Sequence, residues 1–573
     1  MKSLTAPARL LCTAVSAALL AACSPPPTDR ATQPATSAPT DRARETARLA
    51  ADSARAPAAP APQATLAAPA HQYAPRAHAE PAPLDGLRRT SIADMALPPA
   101  VDRENYQRYR DNPVVVAREQ PVSTFGVDVD TGSYTNVRRI LNEGRLPPAH
   151  AVRAEEFINY FDYGYAVPDS PQRPFHIHTE LAAAPWNPQR QLLQIGVQGY
   201  EVAPRDIPAA NLVFLIDTSG SMADRDKLPL LKAALRQLVK QLRPQDRVAI
   251  VTYAGQASTI LESTPGDQQA RILAAIDSLR AAGGTNGAAG LDLAYAQAAK
   301  AYVPEGVNRI LLASDGDFNV GTTDLETLKE RIARHRQNGI ALTTLGVGGG
   351  NFNDALAMQL ADVGDGSYHY LDSVREAQRV LAREVTSTLL TIARDVKIQV
   401  EFNPALVAEY RLIGYEKRAL AREDFNNDRV DAGDIGAGAS VTALYEITPV
   451  GAPGARLDPL RYGQAPHIGT QGHDELAFVR LRYKLPGSAD SQLLEHAVAA
   501  SQARQAGSAA MQRAAAAAAF AQWLRGGKYL DGYTPGQIEA LARRARGDDA
   551  HGINTELAAL VDLAAGLGAP AVP

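Results

Sequence analysis

Asn211-Leu212-Val213-Phe214-Leu215-Ile216-Asp217-Thr218-Ser219-Gly220-Ser221-Met222 is the stretch whose reading decides the fold. Leu212 to Ile216 is an unbroken apolar run bounded by turn-forming residues, the pattern of a strand buried on both faces. Asp217, Ser219 and Ser221 leave its C-terminal end at alternate positions, where open α/β sheets place their ligand crevice. Three small oxygen-bearing side chains at i, i+2 and i+4 in a tight turn can converge on one hard cation, and Gly220 lets the backbone bend between them.

Outward from this strand, elements alternate as in a doubly wound sheet. The spacing predicts helices over 227–242, 268–282, 288–302, 325–338, 354–361 and 374–390. Strands are predicted over 247–253, 309–313, 340–347 and 367–371, with an edge strand at 258–263. In this topology every loop after a strand's C-terminal end opens on one face. Two later loops carry further oxygens: Gly283-Gly284-Thr285-Asn286-Gly287, after the helix that follows the edge strand, and Ser314-Asp315-Gly316-Asp317 at the end of strand 309–313. Asp217, Ser219, Ser221, Thr285 and Asp315 therefore form an all-oxygen set suited to Mg2+ or Mn2+, with Ca2+ as a further occupant, and wrong for Zn2+.

D-x-S-x-S after the first strand, a threonine in a later loop and an aspartate in a third resemble the metal-ion-dependent adhesion site (MIDAS) of the von Willebrand factor type A (VWA) domain. That resemblance implies that the two serines and the threonine ligate the cation and that some ligands act through water. One coordination position is left for an acidic residue of a protein partner. Asp317 would stand just behind the ligands and orient them. F-G-V-D-V-D-T-G-S-Y before the domain, and D-A-G-D-I-G-A-G followed by V-T-A-L-Y-E-I after it, are similar to the flanking segments of YfbK-like bacterial lipoproteins, a family without a settled biochemical activity.

The chain has 573 residues and a formal net charge of −4. Its length calls for several domains, and its charge argues against a nucleic-acid surface. Residues 1–22 have the layout of a secretory leader, with Lys2 and Arg9 before a short apolar segment that ends Leu20-Ala21-Ala22-Cys23. This ending resembles a bacterial lipobox, in which Cys23 becomes the lipidated N-terminus. The alternative is an ordinary signal peptide with an incidental cysteine. Ser24 after the anchor favours, by resemblance, the outer membrane of a Gram-negative cell, facing either the periplasm or the exterior. The only two cysteines are Cys12 and Cys23, so the domains form no internal disulfide. Residues 23–120, rich in Ala, Pro, Ser and Thr, read as a disordered tether.

The domain organisation is then a small α+β N-terminal module (121–200), a Rossmann-like α/β VWA domain (207–391) and a C-terminal region (392–573) of β-strands and alanine-rich helices. Its strands are predicted over 393–403, 407–415, 440–449 and 475–485, and its helices over 491–524 and 537–567. Several weaker patterns compete with the metal site. Val129-Asp130-Thr131-Gly132-Ser133 copies an aspartic-protease turn, but its second copy is broken at Asp217-Thr218-Ser219-Gly220, so Asp130 is expected to cap the next helix. Asp424-Phe425-Asn426-Asn427-Asp428 opens like a calcium loop and fails at Arg429 and Ile435. His176 and His178 share a strand face without an evident third ligand. No G-x-S-x-G elbow, P-loop or H-E-x-x-H is present, which weighs against an enzyme. The leading expectation is a membrane-anchored protein that binds an acidic protein partner through a divalent cation; the alternative is an envelope scaffold with a vestigial site.

Overall fold

The computed structural model describes residues 103–316, 324–384, 390–458 and 474–570. The expected leader, Cys23 and the tether up to residue 102 lie outside them. Along the chain, β1 (Val115–Val116) and β2 (Val122–Gly126) lead to α1 (Gly132–Asn142), α2 (Ala154–Ile158) and a hairpin of β3 (Phe175–Ala184) and β4 (Asn187–Gly199). The α/β unit then runs β5 (Ala210–Asp217), α3 (Leu228–Val239), β6 (Arg247–Tyr253), β7 (Ala257–Pro265), α4 (Gln269–Ser278) and α5 (Gly287–Lys300). It continues with β8 (Val307–Ser314), α6 (Leu325–Gln337), β9 (Ala341–Val347), α7 (Asp354–Val363), β10 (Tyr368–Leu371) and α8 (Val374–Gln378). The C-terminal part adds β11 (Thr391–Phe402), β12 (Val407–Ile413), β13 (Gly433–Gly436), β14 (Ser440–Pro449), β15 (Glu475–Lys484) and β16 (Ser491–Ala499). Three helices close it: α9 (Ala509–Leu524), α10 (Pro535–Arg544) and α11 (Ile553–Gly566).

The α/β sheet has the order β10-β9-β8-β5-β6-β7, parallel except for β7, which pairs antiparallel at the edge. β5 is buried along its whole length because helices cover both of its faces. Leu212, Phe214 and Ile216 pack against α3 and α4, while Val213 and Leu215 pack against α5 and α6. The helices that follow the adjacent strands β5 and β8 therefore lie on opposite faces. Between the ends of these two strands the sheet opens a crevice, the topological switch point of the fold.

The other sheets form a sandwich to which both flanks of the α/β unit contribute. One sheet runs β1-β12-β14-β4-β3; the other runs β13-β11-β15-β16, with β2 also paired to β11. Ile195, Val197, Val441, Ile398, Val400 and Leu481 meet in its core. The segment 121–200 and the C-terminal region are thus one body, since neither supplies enough strands alone. On the outer side, α9 packs with α10, α2 and α11, and the small side chains of Ala514 to Ala519 allow close approach on every side.

Several expectations are corrected. Residues 103–120, assigned to the tether, are ordered: β1 pairs with β12, and Ala117 is fully buried. Local composition hid an apolar Val114-Val115-Val116-Ala117 run. The helix predicted over 374–390 is a short α8 followed by a π-helical turn at Arg379–Glu384, and residues 385–389 lie outside the described set. The helix predicted from 491 is strand β16 up to Ala499, because pairing with β15 overrides the helical preference of its alanines and leucines. The helix predicted over 537–567 is two, α10 and α11, separated by a turn in which Gly547 and Gly552 take positive φ.

A buried ionic network joins these parts. Lys417 Nζ lies 2.8 Å from Asp128, 3.2 Å from Asp130 and 3.8 Å from Glu156. Arg153 pairs with Glu156 and, at 2.7 Å, with Asp354 at the start of α7. Asp354 also accepts from the Tyr368 hydroxyl at 2.7 Å. Arg138 on α1 reaches Asp372 and Glu376 of the α/β unit and Glu556 on α11. Burial and the neighbouring charge of Asp128 push the Asp130 carboxyl well above its ordinary range. Burial acts the same way on Asp128, but Arg418 and Lys417 outweigh it and hold that carboxyl low.

Removing the ammonium alone strands these buried carboxylates. Lys417→Met is therefore expected to lower stability at neutral pH by about 3–5 kcal/mol, read as the urea midpoint. A buried carboxylate with a raised pKa destabilises the fold only once it ionises, so the deficit should shrink as pH falls from 7 to 5. A deficit that is absent, or that grows on acidification, contradicts this assignment.

Candidate metal centre

The crevice is built from three loops. Asp217, the last residue of β5, is fully buried. Its Oδ1 accepts the Ser219 backbone N–H at 2.8 Å, a local turn that swings Ser219 and Ser221 back over the strand end. The Ser219 and Ser221 hydroxyls stand 3.0 Å apart; Ser219 is buried and Ser221 exposed, so the pair bridges the protein interior and solvent. Two backbone bonds bring the second loop alongside: Gly220 N–H donates to Gly283 O at 3.0 Å, and Ala282 N–H donates to Thr218 O at 2.8 Å. That loop carries Thr285, half-buried, just ahead of α5, whose first turn is capped by Asn286.

Asp315 follows β8, the strand next to β5, and is fully buried. Ser314 links the first and third loops: its hydroxyl donates to Asp217 Oδ2 at 3.4 Å and accepts the Gly316 N–H at 3.1 Å. Gly316 has φ +90°, and a Cβ there would come within 2.1 Å of the Asn353 nitrogen, so only glycine lets this loop meet the β9–α7 loop. Asp317 lies outside the described residues.

A residue that sequence reasoning took only as a helix start enters the site. Lys227, the residue before α3, is buried, and its Nζ donates to Asp315 Oδ2 at 3.0 Å and to Asn351 Oδ1 at 3.3 Å. No sequence signal marks it, since a lone lysine at a helix start is ordinarily solvated.

The chemistry of the donors suits a hard cation. Every predicted ligand atom is oxygen, and two carboxylates and three hydroxyls match the preference of Mg2+ and Mn2+. Burial pushes the Asp217 carboxyl up to about 6, with the Asp315 charge adding to the effect and the Ser219 hydrogen bonds opposing it. Taken out of water, and with hydrogen bonds that do not offset its burial, this carboxylate is held ready for a positive partner.

The competing patterns resolve differently. Asp130 does not cap α1: its Oδ1 accepts the Tyr368 N–H at 2.8 Å and its Oδ2 faces Lys417, because the turn points it at the α/β unit rather than along the helix. Among the described residues, Asp128, Asp130 and Glu156 form the one group of three metal-type ligands with atoms within 4.8 Å of one another. Lys417 already sits among them, so this triad is an ion-pair centre. In the calcium-like loop, the carbonyls of Asp424 and Asn427 accept Lys397 Nζ, and Asp428 pairs with Arg482. His176 and His178 gain a third neighbour that the sequence did not reveal, His496 on β16, which bonds Thr179 at 3.1 Å. The three rings do not converge to ligand distance.

Comparison with known proteins agrees with this architecture. Residues 211–383 match the family described as von Willebrand factor type A domain, residues 100–194 that described as von Willebrand factor, and residues 387–567 that described as the C-terminal part of uncharacterized protein YfbK. The chain is 48% identical over 469 residues to the uncharacterized protein YfbK of Escherichia coli K12, covering 81% of each. It is 31% identical to uncharacterized protein sll0103 of Synechocystis, over 55% of this chain and 70% of that one. The inter-alpha-trypsin inhibitor heavy chain H3 of Pongo abelii is 29% identical, and the match spans 31% of that protein. Among solved structures, the von Willebrand factor type A protein of Catenulispora acidiphila is 18% identical, with TM-score 0.39 over 67% of this chain and 88% of that one. Proximal thread matrix protein 1 of the mussel byssus, solved with a zinc-occupied MIDAS motif, is 22% identical, with TM-score 0.25 over 31% and 46% of the two chains. With 48% identity across four-fifths of both chains, this chain belongs to the YfbK family, and its central α/β domain is a VWA domain.

Proposed function

We propose that this chain is a lipid-anchored binding protein whose VWA domain captures an acidic side chain of a protein partner through a divalent cation. The observation that carries the reading is the pair of buried carboxylates, Asp217 and Asp315, at the ends of adjacent parallel strands, with the Ser219 and Ser221 hydroxyls opening the crevice to solvent. Asp217, Ser219, Ser221, Thr285 and Asp315 are the residues that would hold Mg2+, or Mn2+ or Ca2+. When bound, the cation supplies a Lewis-acid contact for a carboxylate oxygen of the partner. The chain's own work is positional: the Asp217–Ser219 turn aims the two hydroxyls, Ser314 ties the strand ends together, and the exposed Ser221 side leaves room for an incoming group. Among the described residues of this crevice no nucleophile stands beside an activating base, and the reading is accordingly one of binding. Cys23 would carry the lipid, and the residues after it would hold the domains away from a Gram-negative envelope membrane, most readily the outer one.

A scaffold reading, in which the flanking sandwich and helices make the contacts, draws on the Lys227–Asp315 pair, because that pair satisfies Asp315 without a metal. Crosslinking and pull-down from intact envelopes separate the two. Capture of partner proteins should require Mg2+, vanish in EDTA and vanish in Asp217→Ala; capture that survives both treatments supports the scaffold. Zn2+ belongs in the same series, to test whether the oxygen set refuses it.

Metal binding should also show in stability. A ligand at about 100 times its Kd stabilises the folded state by ~2.7 kcal/mol, so Mg2+ should raise the melting temperature of the wild type and leave Asp217→Asn unmoved. In EDTA the order is expected to reverse, because Asp217→Asn removes a buried charge and melts no lower than the wild type. Lipid attachment is checked separately by metabolic labelling with palmitate, which should mark the wild type and not Cys23→Ser.

A further inference from the structure

The crevice holds one charge that the VWA reading does not call for. Lys227 has a side chain only 6% exposed, and its ammonium is fixed by Asp315 and Asn351. Its aliphatic stem lies flat on Gly348, where a Cβ would come within 2.4 Å of Cγ and Cε; Gly348 has φ +66°. The loop that pins the stem is itself strapped down. Gly350 N–H donates to Glu104 at 2.8 Å, Arg103 N–H donates to Gly350 O at 2.9 Å, and Asn105 N–H donates to Phe352 O at 3.0 Å. Glu104 is in turn paired with Arg139 on α1. A lysine clamped from so many sides is a fixed charge, with no free path out of the site.

Counting the described residues of the site, Asp217 and Asp315 alone would bring a divalent cation to neutrality. With Lys227 in contact with Asp315, the same groups and the same cation sum to one positive charge. That surplus lies in a buried, low-dielectric crevice that reaches solvent at Ser221, so it acts on whatever enters there. We infer that Lys227 is a resident counter-charge of the metal site, which weakens its hold on the cation and makes the loaded site select a ligand that brings a carboxylate. The inference rests on the metal-binding reading and deepens it by naming the residue that sets ligand charge.

The test uses the full chain with Mn2+ as the metal and acetate as the carboxylate probe. Free Mn2+ is followed by electron paramagnetic resonance, and acetate binding by loss of the water-proton relaxation enhancement as metal-bound water is displaced. Lys227→Met preserves the stem against Gly348, and Lys227→Gln preserves a donor to Asp315; folding of both is verified by circular dichroism. Both should bind Mn2+ about tenfold or more tightly than the wild type, and the loaded variants should bind acetate about tenfold or more weakly. If Mn2+ binding is lost in Asp217→Ala but both Lys227 variants keep wild-type constants, the inference fails and the metal site stands. Weaker Mn2+ binding in both variants also overturns it, since lysine would then be positioning Asp315. If Asp217→Ala binds Mn2+ like the wild type, the metal-site reading falls and takes the inference with it.

Discussion

A carboxylate taken out of water needs a positive partner, and this chain meets that constraint in two places with different outcomes. Where the α/β unit meets its flanks, Asp128, Asp130 and Glu156 are buried around the ammonium of Lys417, while Arg153 binds Glu156 and Asp354 from the other side. That set is closed, because every acid faces a fixed cation of the protein. At the crevice, Asp217 and Asp315 are equally buried, but a single ammonium serves only Asp315. Among the described residues, Asp217 has hydrogen bonds but no ion pair, and burial raises its carboxyl. The first arrangement welds modules together; the second leaves a place for a charge from outside.

The weld also fixes what surrounds the crevice. Asp354 opens α7, directly after the loop that pins Lys227, and Arg153 holds it from the N-terminal flank. Residues 103–105 lie along the same loop and pair with it through backbone bonds. The first described segment therefore runs beside the candidate metal centre. The sandwich, assembled from strands before and after the α/β unit, holds both ends of that unit in one frame.

What could be read from the sequence follows from how local each feature is. β5, β6, β8 and β9 were legible because a strand covered on both faces is a continuous apolar run, and Val213 and Leu215 are as buried as Leu212 and Phe214. Asp217, Ser219 and Ser221 were legible because one turn sets their spacing, Asp315 because it follows a parallel strand next to β5, and the loop of Thr285 because its glycines separate two helical patterns. Lys227 was hidden, since only the fold shows that Gly348 and Asn351 bury it against Asp315. β16 was hidden because its alanines and leucines favour helix until β15 lies beside them. The ionic weld was misread as a helix cap at Asp130, because Lys417 lies far along the chain from Asp130 and nothing near that turn points to it.

The most direct measurement of the central claim is a crystal structure of the protein grown with Mn2+ and examined at the manganese absorption edge. The account predicts one strong anomalous peak in the crevice, within coordination distance of Asp217 or Asp315 and the Ser219, Ser221 and Thr285 hydroxyls, directly or through water, with one position filled by solvent or an added carboxylate. Lys227 should remain beside Asp315 in that structure. An empty crevice, or a peak among Asp128, Asp130 and Glu156 instead, would contradict it.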